Sequence, residues 1–180
     1  MSIFRQLSRW FGADHGMTNI LAGSKAPDFA LKSLDGKPYS LKSVLQKGPA
    51  VVAFFKISCP VCQFTFPFLE RLFQRYGNEG VIFLGVSQND ARDTRDFVKE
   101  YGVTFPVLLD EKGYPASNAY GLTNVPTVFL VDTDGSVKVS SMGFVKADLE
   151  SIANILADRR KIARAPLFLS TESVPANRPG

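Results

Sequence analysis

The sequence predicts an α/β domain with a central mixed sheet flanked by helices, and three observations carry the prediction. Short apolar runs alternate with longer segments whose apolar residues recur at helical spacing, the pattern of layered strands and helices. The run Ala50-Val-Val-Ala-Phe-Phe is apolar throughout, as a strand covered on both faces must be. The two cysteines of the chain, Cys59 and Cys62, stand two residues apart where that run gives way to a helical pattern.

Residues 1–12 set Ile3, Phe4, Leu7, Trp10 and Phe11 at helical spacing with Arg5 and Arg9 between them. The expectation is an amphipathic segment packed on its own domain or frayed, with contact to a membrane surface as the alternative. Residues 13–26 read as a linker, which gives an N-terminal unit over 1–22. Residues 27–31 alternate as a strand, and Asp35-Gly36 turns the chain into a second short strand and a helical turn over 39–45. Lys47-Gly48-Pro49 breaks that turn before the buried strand over 50–55. A helix over 59–76 carries Phe64, Phe68, Leu69, Leu72 and Phe73 on one side, with Pro67 expected to kink it. Another buried strand follows over 81–86, then a helix over 90–101 with Asp90 as N-cap and Gly102 as stop. A short strand over 107–109, a short helix over 115–120, and strands over 127–131 and 137–141 joined at Asp134-Gly135 come next. A closing helix over 146–163 ends the domain expected at 23–163. From 164 to 180, several prolines and little apolar periodicity suggest a flexible tail.

Bulk properties exclude several functions. The net charge of +4 is spread along the chain, whereas a nucleic-acid surface needs a clustered basic face. Two cysteines are too few for a secreted disulfide scaffold. With His15 the single histidine, a four-ligand zinc site would need two chains to pool their pairs, so no metal or other cofactor is expected. Residues 1–12 lack the apolar core and cleavage site of a secretory signal, and no run approaches the roughly 18 apolar residues of a membrane span, so cytoplasmic placement is expected.

The cysteine turn points to dithiol/disulfide chemistry, because thiolate is the nucleophile of disulfide exchange and an ordinary cysteine is mostly protonated near neutrality. With Cys59 as N-cap, Pro60 takes the first helical position, where its missing N–H costs nothing, and it keeps the preceding residue out of helical angles. The Cys59 sulfur can then accept from the free amides of Val61 and Cys62 at the positive end of the helix. The dipole contributes about 0.3–1 kcal/mol, less than one pKa unit, so hydrogen bonds must supply the rest. One turn on, Cys62 should hold its α-carbon about 5–6 Å from that of Cys59, a span a disulfide bridges without strain. The exposed Cys59 is expected to attack and the more buried Cys62 to resolve the mixed disulfide. A static disulfide would close too small a loop to add much stability.

At these residues the chain resembles the thioredoxin superfamily, specifically the TlpA-like and AhpC/TSA-like thioredoxin-domain proteins. The resemblance runs over about 23–163. It rests on Ala26-Pro27-Asp28-Phe29 with Leu34-Asp35-Gly36-Lys37, the Cys59–Cys62 turn, Phe66-Pro67, Tyr101-Gly-Val-Thr-Phe-Pro106, and Asn124-Val125-Pro126-Thr127 before Asp132-Thr-Asp-Gly135. It implies a thioredoxin-like fold with an N-terminal β extension and an inserted helix. It also implies a cis proline at Pro126 facing the cysteines, which would present the backbone of Val125 as an edge for an extended substrate. Ser58, Pro60, Val61, Val125, Pro126 and Thr127 would then shape the site. Ser58 replaces the usual tryptophan. Ala53 and Thr65 stand where relatives place acids that help move the resolving thiol's proton, which leaves Lys56 and Thr65 as tuning candidates.

The function so implied is a thiol-disulfide oxidoreductase. Because the cytosolic poise expected without an export signal keeps such a pair mostly reduced, it is expected to reduce disulfides of proteins or small molecules with electrons from an external thiol donor. The rival enzyme is a peroxiredoxin-like peroxidase, but its Pro-x-x-x-Thr/Ser-x-x-Cys pattern would fall on Val52 and Lys56 before Cys59, or on Phe55 and Cys59 before Cys62, and neither fits. The non-enzymatic alternative is a thioredoxin-fold binding or redox-sensing module.

Overall fold

The computed structural model describes residues 19–180. The expected N-terminal segment, most of the linker and His15 lie outside the described residues.

In chain order the elements are β1 (Ala30–Ser33), β2 (Pro38–Ser40), α1 (Leu41–Leu45), β3 (Ala50–Phe55), α2 (Pro60–Tyr76), β4 (Ile82–Ser87), α3 (Ala91–Glu100), β5 (Val107–Leu109), α4 (Pro115–Ala119), β6 (Thr127–Val131), β7 (Val137–Met142), β8 (Phe144–Val145), α5 (Lys146–Arg160) and β9 (Asn177–Arg178). Seven strands form one mixed sheet in the order β2-β1-β5-β4-β3-β6-β7. β3, β4 and β5 pair parallel, while β6 pairs antiparallel with β3 and β7 with β6 on one side, and β1 pairs antiparallel with β5 and β2 with β1 on the other.

The continuous apolar character of β3 follows from its place in the middle of that sheet. Val51, Ala53 and Phe55 point into a core closed by α2, α3 and α5, where Phe66, Leu69, Phe97, Leu149 and Ile152 are buried. The alternate residues Val52 and Phe54 point to a second core under α1 and α4, with Leu41, Val44, Ala116 and Tyr120. Alternation along the strand sends successive side chains to opposite faces, so both sets must be apolar. Local signals set the helix starts. Ser40 and Ser43 form a reciprocal capping box on α1, and the Asp90 carboxylate accepts from the Asp93 amide on α3. α2 continues through Pro67 as one helix.

Two expectations are corrected. The linker docks from Asn19 onward: the Ile20 amide donates to the Tyr120 carbonyl, and Lys25 bridges to Ser136 at the sheet edge. The flexible tail expected over 164–180 is packed instead. Leu167 and Phe168 are buried, and β9 pairs antiparallel with β8. The physical reason is a stripe on α2. Phe64, Phe68, Arg71 and Arg75 fall on one helix face at the i, i+4, i+7, i+11 spacing, and the segment after α5 covers that face. Phe168 packs on Phe68, Arg71 forms a two-pronged pair with Glu172, and Arg75 donates to the Ala165 carbonyl. Composition suggested disorder because the apolar and charged anchors here are few and unevenly spaced. Each, however, meets a partner already fixed on a helix.

Candidate active site

The end of β3 and the start of α2 build the site. Cys59 is the N-cap of α2 in extended conformation (φ −85°, ψ 113°), and Pro60 opens the helix. The Cys62 amide donates to the Cys59 sulfur at 3.2 Å, so that one of the helix's unpaired amides is met by sulfur. The Cys59 thiol donates to the Val125 carbonyl at 3.3 Å. Both cysteines are free thiols, Cys59 half-exposed and Cys62 buried. Burial chiefly pushes the Cys62 thiol well above the ordinary cysteine range, with a further push from hydrogen bonding to the Cys59 side chain.

The loop ahead of the cysteines is pinned by two residues that sequence reasoning passed over. The Asn89 side-chain oxygen accepts from the Ile57 amide at 3.0 Å, and the Gln63 side-chain amide donates to the Ile57 carbonyl at 2.9 Å. Asn89 is held in turn by its own amide donating to Ser87 Oγ, itself bonded to Thr94. The polar run Ser87-Gln-Asn-Asp after a buried strand was the available signal, but nothing local shows that it faces the cysteine turn.

On the far side, the Val125–Pro126 peptide is cis and Pro126 is buried. Thr127 Oγ1 donates to the Asn124 carbonyl at 2.7 Å, and the Gly143 amide donates to the Pro126 carbonyl at 2.7 Å, so this turn is fixed from two directions. Val125 is half-buried, and its amide has no hydrogen-bond partner among the described residues. Cys59, Cys62, Val125 and Pro126 thus come together from chain positions more than sixty residues apart.

The remaining candidates divide. Ser58 and Pro60 are exposed on the rim and Val61 is half-buried. Thr65 is buried directly after the cysteine turn, but its hydroxyl donates to the Val61 carbonyl at 2.6 Å, a helix back-bond that occupies its proton. The Lys56 ammonium lies 6.0 Å from the Tyr114 ring centroid. It lines a polar cavity of about 210 Å³ together with Gln88, Tyr114, Asn118, Asn124 and Val125, immediately beside the cysteine turn. Among the described residues, no three His, Cys, Asp or Glu side chains gather as metal ligands, and no helix is long and apolar enough to cross a membrane.

Comparison with known proteins gives this geometry a family. The chain matches the AhpC/TSA family over residues 22–140. It is 33% identical over 141 residues to the thiol-disulfide oxidoreductase ResA of Geobacillus thermodenitrificans, an alignment that covers 75% of this chain and 80% of the relative. Among solved structures it superposes on a candidate thiol:disulfide interchange protein DsbE from Chlorobium tepidum, with TM-score 0.68 and 28% identity over 77% of this chain and 96% of that one. It superposes also on MTB dsbF in its mixed oxidized and reduced forms, with TM-score 0.63 and 28% identity over 72% of this chain and 93% of that one. The mixed sheet, the cysteine turn on α2 and these likenesses together mean that the chain belongs to the AhpC/TSA family and has a thioredoxin-like fold.

Proposed function

We propose that this protein is a thiol-disulfide oxidoreductase that reduces disulfides through Cys59 and Cys62. The observation that carries the reading is the asymmetry of the pair: the half-exposed Cys59 sulfur caps α2 and takes the Cys62 amide, while Cys62 itself is buried. The relatives' printed names, thiol-disulfide oxidoreductase ResA and dsbF, support it.

The Cys59 thiolate attacks one sulfur of a substrate disulfide, forming the Cys59–substrate bond and releasing the other substrate sulfur as thiolate. Cys62 then loses its proton and attacks Cys59, releasing the second substrate thiol and leaving the Cys59–Cys62 disulfide. Two electrons pass to the substrate, and an external thiol donor must return them. Burial of Cys62 keeps it protonated until the mixed disulfide forms, which reserves attack for Cys59. Ser58, Pro60, Val61 and Val125 shape the substrate surface in this reading, whereas Pro126 and the fully buried Thr127 lie beneath it and fix the Val125 turn from inside. The unpartnered Val125 amide is available to the backbone of an extended protein segment.

Reduction of hydroxyethyl disulfide, with dithiothreitol as donor, tests the reading. Wild type should accelerate thiol release, Cys59→Ala should abolish the effect, and Cys62→Ala should accumulate a mixed disulfide on Cys59. A wild type that does not accelerate exchange refutes it. The reduction potential of the pair sets the direction, since 30 mV corresponds to about 1.4 kcal/mol for this couple.

A further inference from the structure

The segment following α5 runs back along α2 and arrives beside the cysteines. Past the contacts of Arg75, Arg71 and Phe168, the Lys146 amide donates to the Ala176 carbonyl at 2.9 Å and Arg178 pairs with Phe144 in the β8–β9 ladder. The Arg178 guanidinium then stacks on Phe64, one turn into α2, at 3.8 Å from the ring centroid. Beyond it, the Asn124 side-chain amide donates to the Gly180 carbonyl at 3.0 Å. A Cβ on Gly180 would collide with the Val125 carbonyl oxygen. The backbone at residue 180 therefore passes in contact with the same oxygen that receives the Cys59 thiol. Gly143 makes room for this path: at φ +70°, any Cβ there would stand 2.5 Å from the Arg178 carbonyl.

The two approaches to Cys59 are thus unlike. On the β8 side, residues 174–180 cover Phe64 and lie against Val125. On the other side, the polar cavity of Lys56, Gln88, Tyr114 and Asn124 remains open. We propose that residues 174–180 form a specificity-determining wall, which denies the β8 side of Cys59 to the broad face of a folded partner and favours disulfides carried on narrow, extended segments. This rests on the redox reading above and adds the shape of the substrate to it. Its physical basis is that exchange needs the substrate's sulfurs in line with the Cys59 sulfur, which a bulky partner cannot achieve while residue 180 lies against Val125 and Arg178 over Phe64.

Second-order rates of the reduced full chain with hydroxyethyl disulfide and with insulin, a folded protein disulfide, test the proposal. Arg178→Pro removes the stacking guanidinium and a strand amide, and hydrogen exchange over 174–180 reports release of the wall. Arg178→Ser serves as the milder variant if the first does not fold. With the wall released, the insulin rate should rise about fivefold or more and the small-disulfide rate change less than about twofold. An unchanged ratio of the two rates with the wall released overturns the proposal, as does a fall in the insulin rate. A wild type inert toward both disulfides overturns the redox reading itself, and the wall's role falls with it.

Discussion

Replacing Cys59 by serine and by alanine separates the capping role of its sulfur from its chemistry. Both substitutions remove the proposed nucleophile, so both should abolish exchange. Their stabilities should differ. The Cys62 amide donates to the side chain of residue 59 at 3.2 Å, and the extended backbone there is that of a helix N-cap. Serine can accept the same bond and alanine cannot. Loss of an N-cap acceptor costs about 0.5–2 kcal/mol, and the half-exposed position places this one near the middle, about 1 kcal/mol. For a chain of this size that corresponds to a melting difference of about 2–4 °C. Urea denaturation at neutral pH under reducing conditions measures it directly. Serine should be at least as stable as wild type, because oxygen is the better acceptor, and alanine about 1 kcal/mol less stable. If the two variants unfold within about 0.3 kcal/mol of one another, the amide does not hold the side chain of residue 59 and the account of thiolate stabilisation fails.

Two other outcomes follow from the packing. Burial raises the Cys62 thiol above its ordinary value of 9.0, so the native reduced state keeps a proton that the unfolded chain gives up. Its contribution to stability is full below pH 9 and is lost as pH rises above it, at up to about 1.4 kcal/mol per pH unit. The oxidised form has no such proton, and denaturation of the two forms from pH 8 to about 10.5 should show the reduced form losing stability faster; parallel curves would contradict the burial argument. Phe168→Ala removes a ring 7% exposed that packs on Phe68 at 4.9 Å and Phe144 at 5.9 Å. It should lower stability by about 2–4 kcal/mol in urea titration, a little below the usual range for a fully enclosed ring, and a loss under about 0.5 kcal/mol would mean that the segment after α5 does not anchor on α2.

Local chemistry made much of the fold and part of the site legible. An unbroken apolar run marks β3, Ser40 and Asp90 mark the starts of α1 and α3, and Cys59 caps α2 with the proline after it opening the helix. Each of these is decided within a few residues, by the pleat, by free amides at a helix end or by the proline ring, and such forces act the same way in any surrounding. The relevance of Val125 and Pro126 came through resemblance and not through spacing, because no local rule relates them to a cysteine more than sixty positions away.

The amino-acid sequence by itself determined that two thiols would stand one turn apart at the mouth of a helix, one of them the cap. Only the tertiary structure decided that the Val125 carbonyl would meet the Cys59 sulfur, that Asn89 and Gln63 would hold the loop beneath it, and that residues 164–180 would lie along α2 instead of trailing in solvent. The reason is physical. Capping and strand burial are local free energies, whereas a stripe such as Phe64, Phe68, Arg71 and Arg75 takes a partner only once the whole chain has brought one within reach.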